Sequence, residues 1–322
     1  MIQAQSLTKR YGSKTAVDST DFVVQPGRVT GFLGPNGAGK STTMRMIVGL
    51  DKPTSGSVIV NGKPYAQHKA PLREVGVLLD AKAIHTGRSA YNHLRAMAAT
   101  HGIRSSRVNE VLELTGLESV ARKRVGGFSL GMGQRLGIAA ALLGDPATLI
   151  LDEPVNGLDP EGVQWVRGLT RQLAAEGRTV LLSSHLMSEM ALTADHIILL
   201  GRGRVIADAP VADIISSATR STVRVRTTNS SGLANLLAGP DVTVANIEQD
   251  LLEIIGVSAA EIGDAAARAG IVLHELTPIS ASLEEAYMSL TQNELEYRAG
   301  GPTPVQPVQP EPTQAAPQEA TR

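Results

Sequence analysis

The chain contains no cysteine among its 322 residues. Disulfide bonds, thiolate zinc sites, iron–sulfur clusters and thiol catalysis are therefore excluded. Aromatic residues make up only 3% of the sequence, and neither charge sign is in excess, because 30 Lys and Arg stand against 31 Asp and Glu. Proteins that bind by neutralising nucleic-acid phosphates normally carry a basic surplus, so this balance argues against nucleic acid as a partner.

The sequence also lacks any apolar run near the ~18–20 residues that cross a bilayer. The most apolar run, residues 136–143, is short, and the first residues lack the basic-then-apolar order of a signal peptide. We therefore expect a cytoplasmic chain. The content of apolar residues, 42%, and of charged residues, 19%, is typical of a globular protein. The length suggests about two domains of ~100–200 residues each.

Short apolar runs alternate with helical stretches over the first two hundred residues. The runs bounded by turn residues are 29–33, 75–79, 148–152, 179–184 and 196–200. Continuous apolar runs predict strands that are buried on both faces, as in a parallel sheet covered by helices. Two more polar, alternating segments near the N-terminus predict a small antiparallel sheet beside it. Between about 86 and 145 only helical spacing occurs, which predicts an α-helical subdomain inserted in this α/β frame.

The pattern changes from residue 219 onward. The order of the predicted elements is βαββαβ, with the last strand at 271–277, which is the order of a small α+β, ferredoxin-like domain. A closing helix follows at SLEEAYMSLTQNEL. The predicted divisions are therefore an α/β domain at 1–216 and a C-terminal domain at 219–292. The residues 299–322 are rich in proline and hold no large apolar side chain, so they predict a disordered tail.

A glycine-rich loop follows the first predicted strand of the parallel sheet. It matches the pattern G-x-x-x-x-G-K-[ST] and consists of Gly34, Pro35, Asn36, Gly37, Ala38, Gly39, Lys40 and Ser41. Glycines let successive backbone N–H groups turn toward phosphate oxygens, and the helix that follows adds its N-terminal dipole. Lys40 is predicted to bind the β and γ phosphates, and the Ser41 hydroxyl to bind Mg²⁺. The sequence therefore predicts a P-loop NTPase.

An apolar strand that ends in a carboxylate is the second element expected of an NTPase. The run 148–152 supplies Asp152, which can order the magnesium shell, and Glu153, which can polarise a water aimed at the γ phosphate. His185 follows the next strand, where a neutral imidazole can hold the γ phosphate or the attacking water. These elements alone leave GTPases, kinases, helicases, recombinases and transporters open.

A further motif, Phe128–Arg135 (FSLGMGQR), precedes the strand that ends in Asp152. This segment resembles the LSGGQ signature of ATP-binding-cassette (ABC) ATPases and is called the signature segment below. Tyr11 resembles the aromatic residue that stacks on adenine in this family, residues 156–159 (NGLD) the D-loop, and His185 the switch histidine. The ordered motifs cover roughly residues 2–215.

The resemblance implies an ATPase that binds ATP and Mg²⁺ and acts as a homodimer on ATP binding. Glu153 and His185 correspond to the catalytic residues, and Ser41 and Asp152 to the residues that hold the metal. The nucleotide-binding residues implied are Tyr11, the phosphate loop with Thr42 and, from the opposite protomer, Ser129 and Gly131. A helix N-terminus at Ser129 and Gly131 suits an anion.

Within the family, the sequence resembles the branch that exports drugs and antibiotics, including the daunorubicin-resistance-type ATPases. The stretch 77–82, the form SLGM of the signature segment and the late segment SLEEAYMSLT carry this resemblance. It implies that the chain powers export through a multi-span membrane permease on a separate polypeptide, at the inner face of the cell membrane.

Two positions depart from the common family pattern. Asp80 stands where most members carry Gln, so the position is carried over but not the Gln mechanism, since a carboxylate changes the local electrostatics. Leu130 replaces the first glycine of the signature segment, whereas Gly131, whose N–H approaches phosphate, is kept.

Two other functions compete with export. A soluble ABC ATPase that acts on ribosomes or DNA is disfavoured, because the chain has one set of motifs and too few residues between Lys40 and Ser129 for a long coiled coil. A regulatory protein that binds nucleotide without turnover is disfavoured by the presence of both Glu153 and His185.

Overall fold

The computed structural model describes residues 1–80, 84–218, 222–279 and 282–291. Its strands are β1 (Ile2–Tyr11), β2 (Lys14–Val24), β3 (Val29–Leu33), β4 (Ser55–Val60), β5 (Val75–Leu78), β6 (Thr148–Leu151), β7 (Thr179–Ser183), β8 (His196–Gly201), β9 (Arg204–Pro210), β10 (Thr222–Arg226), β11 (Thr243–Glu248), β12 (Leu251–Ile255) and β13 (Glu275–Ile279). Its helices are α1 (Lys40–Ile47), α2 (Pro71–Glu74), α3 (Ala90–Thr100), α4 (Ser105–Leu114), α5 (Leu130–Leu142), α6 (Pro160–Ala175), α7 (Met187–Thr193), α8 (Val211–Ala218), α9 (Ser230–Leu237), α10 (Ala259–Arg268) and α11 (Leu283–Thr291).

The central sheet has six strands in the order β5-β6-β7-β3-β8-β9. The first five strands are parallel, and β9 is antiparallel to β8. Every residue of β3, β6, β7 and β8 is buried, which explains their continuous apolar sequences. The predicted parallel sheet is confirmed. The carboxyl ends of β6, β7 and β3 are neighbours at one edge, and the segments that follow them therefore meet there.

A three-stranded antiparallel sheet, in the order β2-β1-β4, lies beside the central sheet. Helix α1 packs between the two sheets, because Met44 and Ile47 share one buried cluster with Ile2 of β1 and with Phe32 of β3. The small antiparallel sheet predicted from the alternating N-terminal segments is confirmed. Its third strand, β4, and the edge strand β9 escaped the sequence analysis because their residues are largely exposed or half-buried.

The stretch from Ala90 to Leu142 contains helices α3, α4 and α5 and two short 3-10 helices, and no strand. Ser89 begins α3 by accepting a hydrogen bond from the Asn92 N–H at 3.2 Å. Leu94, Val111 and Leu136, one from each helix, are fully buried in a common cluster. Within the described residues, no helix is both long and apolar enough to cross a membrane.

The C-terminal elements form a four-stranded sheet in the order β11-β12-β10-β13, with every neighbouring pair antiparallel. This is the ferredoxin-like topology that the βαββαβ order predicts. The predicted last strand, 271–277, lies instead at Glu275–Ile279. Ile271 and Leu273 pack against the core of the small domain but precede the first residue of β13. The alternating apolar residues at 271 and 273 therefore indicate burial, not pairing with another strand.

Helix α11 does not join the core of this small domain. Its buried side chains Leu283, Ala286 and Tyr287 belong to the large cluster that covers the central sheet, and the helix contacts α7 and α8. The division of the chain at 1–216 and 219–292 stays a prediction. The proline-rich segment 299–322 lies outside the described residues.

Candidate functional site

The phosphate loop connects β3 to α1 and is confined by its surroundings. Gly39 has a φ of 103°, in the left-handed region, and a Cβ there would lie 2.6 Å from the Ala16 carbonyl oxygen. A Cβ on Gly34 would lie 2.5 Å from the Leu200 carbonyl oxygen. Gly39 is therefore required by its backbone conformation, and both Gly39 and Gly34 are required because neighbouring carbonyl oxygens leave no room for a Cβ. The loop is fixed between β2 and the end of β8.

Lys40, the first residue of α1, extends into this loop. Its Nζ donates to the carbonyl oxygens of Gly34 at 2.6 Å and Pro35 at 3.3 Å. Burial lowers the pKa of the Lys40 ammonium below its ordinary value, and the charges of Glu153 and Asp152 oppose that shift. The buried ammonium can bind an anion such as a phosphate, and the two carboxylates can bind a divalent cation that accompanies that anion.

Asp152 lies directly after β6 and is held by two hydroxyl groups. Ser41 donates to its Oδ2 at 2.7 Å, and Ser183, the last residue of β7, donates to its Oδ1 at 2.5 Å. A carboxylate oxygen and a serine hydroxyl are the kinds of oxygen that Mg²⁺ takes from proteins, with water and phosphate oxygens completing the octahedron. The residues present therefore fit a magnesium ion.

Glu153 adopts a positive φ of 50°, an uncommon conformation for a residue with a side chain. Its backbone is fixed on both sides, since its N–H donates to Ser183 Oγ at 2.9 Å and its carbonyl accepts from Gln134 Nε2 at 2.9 Å. Its Oε2 lies 2.7 Å from Nδ1 of His185 and accepts from the His185 N–H at 3.3 Å. The structure thus brings the two predicted catalytic residues into direct contact.

Tyr11, the last residue of β1, lies at the outer end of the site and is half exposed. Its hydroxyl donates to Asp51 Oδ2 at 3.0 Å, and Arg45 donates to both oxygens of the same carboxylate. The hydrogen bonds from Arg45 hold the pKa of the Asp51 carboxyl below its ordinary value. Lys9 Nζ lies 5.0 Å from the centre of the Tyr11 ring. The ring is therefore fixed at its hydroxyl end and flanked by a cation.

Most of the predicted site residues line one cavity of about 460 Å³. They are Tyr11, Pro35, Asn36, Gly37, Gly39, Lys40, Ser41, Thr42, Asp152 and Glu153, joined by Lys14, Ala16 and Leu79. Gly34 and Ala38 belong to the loop's backbone without lining the cavity, and His185 reaches it through Glu153.

The signature segment lies outside this cavity. Ser129 begins α5 and accepts a hydrogen bond from the Met132 N–H at 3.2 Å. A Cβ on Gly131 would lie 3.0 Å from the Gly157 carbonyl oxygen, and one on Gly157 would lie 2.3 Å from a methyl carbon of Leu130. The signature segment thus packs against the NGLD segment of its own chain, and the two residues implied to bind nucleotide, Ser129 and Gly131, do not meet the phosphate loop within one chain.

Three residues of the site were missed by the sequence analysis. Ser183 fixes both Asp152 and Glu153, Gln134 holds the Glu153 carbonyl, and Asp51 holds Tyr11. A polar residue at the end of a buried strand, two positions before His185, was a signal for Ser183. Gln134 belongs to the signature segment, but its contact with Glu153 carried no local signal, and neither did Asp51, because each acts across the fold.

A phosphate loop between a buried strand and a helix, beside a strand that ends in two carboxylates, defines a P-loop NTPase. The family model described as ABC transporter matches residues 17–156. A bacitracin transport ATP-binding protein from Bacillus licheniformis is 43% identical over 213 residues, which are 65% of this chain and 70% of that protein. The chain belongs to the ATP-binding proteins of ABC transporters, and it is an ATPase whose hydrolysis of ATP is coupled to transport.

Other similarities extend further along the chain. A bacitracin transport ATP-binding protein from Enterococcus faecalis is 32% identical over 296 residues, 90% of this chain and 96% of that protein. A solved ATP-binding subunit of an ABC transporter, 28% identical, covers 67% of this chain and 92% of its own with a TM-score of 0.62. Residues 221–284 match the model of a domain of unknown function.

Proposed function

We propose that this chain powers the export of an antibiotic or another hydrophobic compound through a membrane permease on a separate polypeptide. Similar proteins that support this proposal are named for transport of bacitracin and, in Streptococcus pyogenes, of a lantibiotic; the latter is 38% identical over 208 residues, 65% of this chain and 90% of that protein. The observation that carries a catalytic role is the Glu153–His185 contact beside the phosphate loop. A chain that only bound nucleotide would not need this pair.

For hydrolysis, each group has a distinct task. Lys40 and the N–H groups of the loop bind the ATP phosphates. Ser41 and Asp152 would hold Mg²⁺, which would neutralise charge on the phosphate oxygens. Glu153 accepts the proton of the attacking water as general base. His185 holds the Glu153 carboxylate through Nδ1 and leaves its other ring nitrogen for the γ phosphate. Ser183 and Gln134 keep the backbone of Glu153 in its strained conformation.

The position of the signature segment supports a homodimer. Ser129 and Gly131 lie outside the nucleotide cavity of their own chain, so a second copy is needed to place the α5 N-terminus over the phosphates. A dimeric ATP-binding cassette in a post-hydrolysis state with ADP and Pi shares this fold, with 24% identity over 66% of this chain and 99% of its own and a TM-score of 0.61.

We place the chain at the cytoplasmic face of the membrane as a peripheral subunit. The docking surface we propose for the permease lies near Asp80, whose side chain is exposed, and on the helical subdomain of about 86–145. The molecule transported would be recognised by the permease rather than by this chain.

Expression of the chain together with its permease in a bacitracin-sensitive bacterium tests this function. We expect the chain to sediment with membranes only when the permease is present, and the inhibitory concentration of bacitracin or of a lantibiotic to rise several-fold. The variant Glu153→Gln should sediment equally and give no resistance. A chain that stays in the supernatant with and without the permease would support a soluble ABC ATPase instead.

The fixed ring of Tyr11 leads to a prediction about nucleotide affinity. Lys9 occupies one face of the ring, so we propose that adenine stacks on the other. Asp51→Ala removes the acceptor that holds the ring, and one lost hydrogen bond corresponds to a rise of about two- to tenfold in KM for ATP. The kcat should change little, because Asp51 lies away from the phosphates.

Steady-state ATPase kinetics check this expectation. Tyr11→Phe, which loses the same hydrogen bond from the other side, is the matched variant, and the pair should show no additive effect when combined. A fall in kcat at unchanged KM for Asp51→Ala would contradict the proposed role of the carboxylate.

A further inference from the structure

Helix α11 lies after the small C-terminal domain in sequence but packs on the ATPase core. Leu283 is 3% exposed, Ala286 is fully buried and Tyr287 is 8% exposed. All three belong to the cluster that contains Met190 of α7 and Ile214 of α8, whereas none belongs to the separate cluster of the small domain. The chain thus returns from the small domain to contact α7.

Helix α7 is the direct continuation of the segment that carries His185. Leu186 stands at its N-terminus, accepts a hydrogen bond from the Met190 N–H at 3.1 Å and donates its own N–H to Ser184 Oγ at 3.0 Å. His185 contacts Glu153 through both its ring and its backbone N–H. Any shift of α7 therefore moves His185 relative to Glu153.

The other supports of α7 come from α6 and β3. The helix has seven residues and no side-chain cap, and helices this short gain their stability from packing. Arg167 and Glu189 join it to α6 through an ion pair, and Arg171 of α6 donates to the Thr193 carbonyl at 3.4 Å. Met190 packs so closely on Gly31 of β3 that a Cβ there would lie 2.4 Å from its sulfur. Between α6 and α7, behind Pro154 and Ser184, a small cavity of about 20 Å³ remains. Among the described residues, helix α11 is therefore one of three elements that hold α7 in place.

We propose that α11 positions the switch histidine, with Leu283 acting as a positioning residue for His185 through α7. This inference rests on the proposed function, in which His185 holds Glu153 for hydrolysis. It gives the C-terminal part of the chain a role in turnover that is separate from nucleotide binding, because no described residue of α11 lines the cavity formed by the phosphate loop.

The test is ATPase kinetics of the full chain carrying Leu283→Ala. The lost side chain loosens the contact of α11 with the core that includes α7, and we expect kcat to fall about tenfold, within the range that couplings between contacting residues produce. The dissociation constant for ATP should stay unchanged, since Lys40 and Tyr11 lie elsewhere. Met288→Ala is the matched control, because Met288 lies on the same helix and is 49% exposed. It should leave both quantities unchanged.

A double-mutant cycle shows whether the effect passes through His185. In a His185→Ala background, Leu283→Ala should cause no further loss of kcat. In the parent chain, the volume-conserving Leu283→Met should keep the kcat that Leu283→Ala loses. Equal losses in both backgrounds, or a parent kcat that Leu283→Ala leaves intact, would overturn the inference.

Failure of the variant to fold and failure of the proposed function can both be distinguished from failure of the inference. If Leu283→Ala fails to fold, Leu283→Val makes a smaller cut at the same place and the same cycle is measured with it. If His185→Ala itself leaves kcat intact, the role given to His185 in the proposed function is wrong, and the inference falls with it. A strong effect of His185→Ala together with no effect of either Leu283 variant overturns only the inference.

Discussion

Glu153→Gln is expected to lose nearly all ATP hydrolysis while keeping ATP affinity. The amide preserves the shape of the side chain, and the backbone of residue 153 stays fixed by Ser183 and Gln134. It cannot accept the proton of the attacking water, and the loss of a general base typically costs ~10²–10⁴-fold in rate. Release of inorganic phosphate at saturating ATP measures the effect.

The same variant should accumulate as an ATP-bound dimer, because hydrolysis no longer releases it. Size-exclusion chromatography with and without ATP and Mg²⁺ follows this state. Glu161→Gln is the matched control, since Glu161 is an exposed carboxylate on α6. Turnover near that of the parent chain in Glu153→Gln would refute the general-base assignment.

Lys40→Ala is expected to weaken nucleotide binding itself. The ammonium is buried near two carboxylates. In the proposed function it binds the phosphates in the ground state as well as in the transition state. A lost charge-assisted hydrogen bond of this kind corresponds to a rise of about ten- to hundredfold in the dissociation constant. Equilibrium titration with a fluorescent ATP analogue measures it.

The control for this variant is Lys63→Ala, which removes an exposed lysine away from the cavity. Its dissociation constant should equal that of the parent chain. An unchanged constant for Lys40→Ala would show that the loop's N–H groups alone bind the phosphates.

The parts of the site that were predictable from the sequence are those whose chemistry is local. The phosphate loop needs its glycines at fixed spacing, and Asp152 and Glu153 follow a strand whose residues are all buried. The order of the parallel strands then brings His185 to Glu153, because β6 and β7 are neighbours. The general architecture followed from the same signals, since strands buried on both faces have continuous apolar sequences.

The contacts that the sequence concealed join residues far apart in the chain. Gln134 supports Glu153 from helix α5, and Asp51 supports Tyr11 across forty positions. Gln134 is the glutamine of the signature segment, but nothing in that motif indicates its contact with Glu153, and Asp51 belongs to no motif. The sequence did not predict where α11 packs for a similar reason. Its apolar side chains indicate that one face of the helix is buried, but not which of the two cores covers that face.

The contact between α8 and α11 has a consequence for how the chain is organised. The small domain leaves the ATPase core after one of these helices and the chain rejoins that core through the other, so its two ends are anchored side by side. It is thus an insertion between two packed helices rather than an appendage at the end of the chain. Such a module can be exchanged for another of similar end-to-end distance with little disturbance of its host. The ATPase core can therefore acquire a different small domain at this place through evolution or engineering while keeping α11 in position.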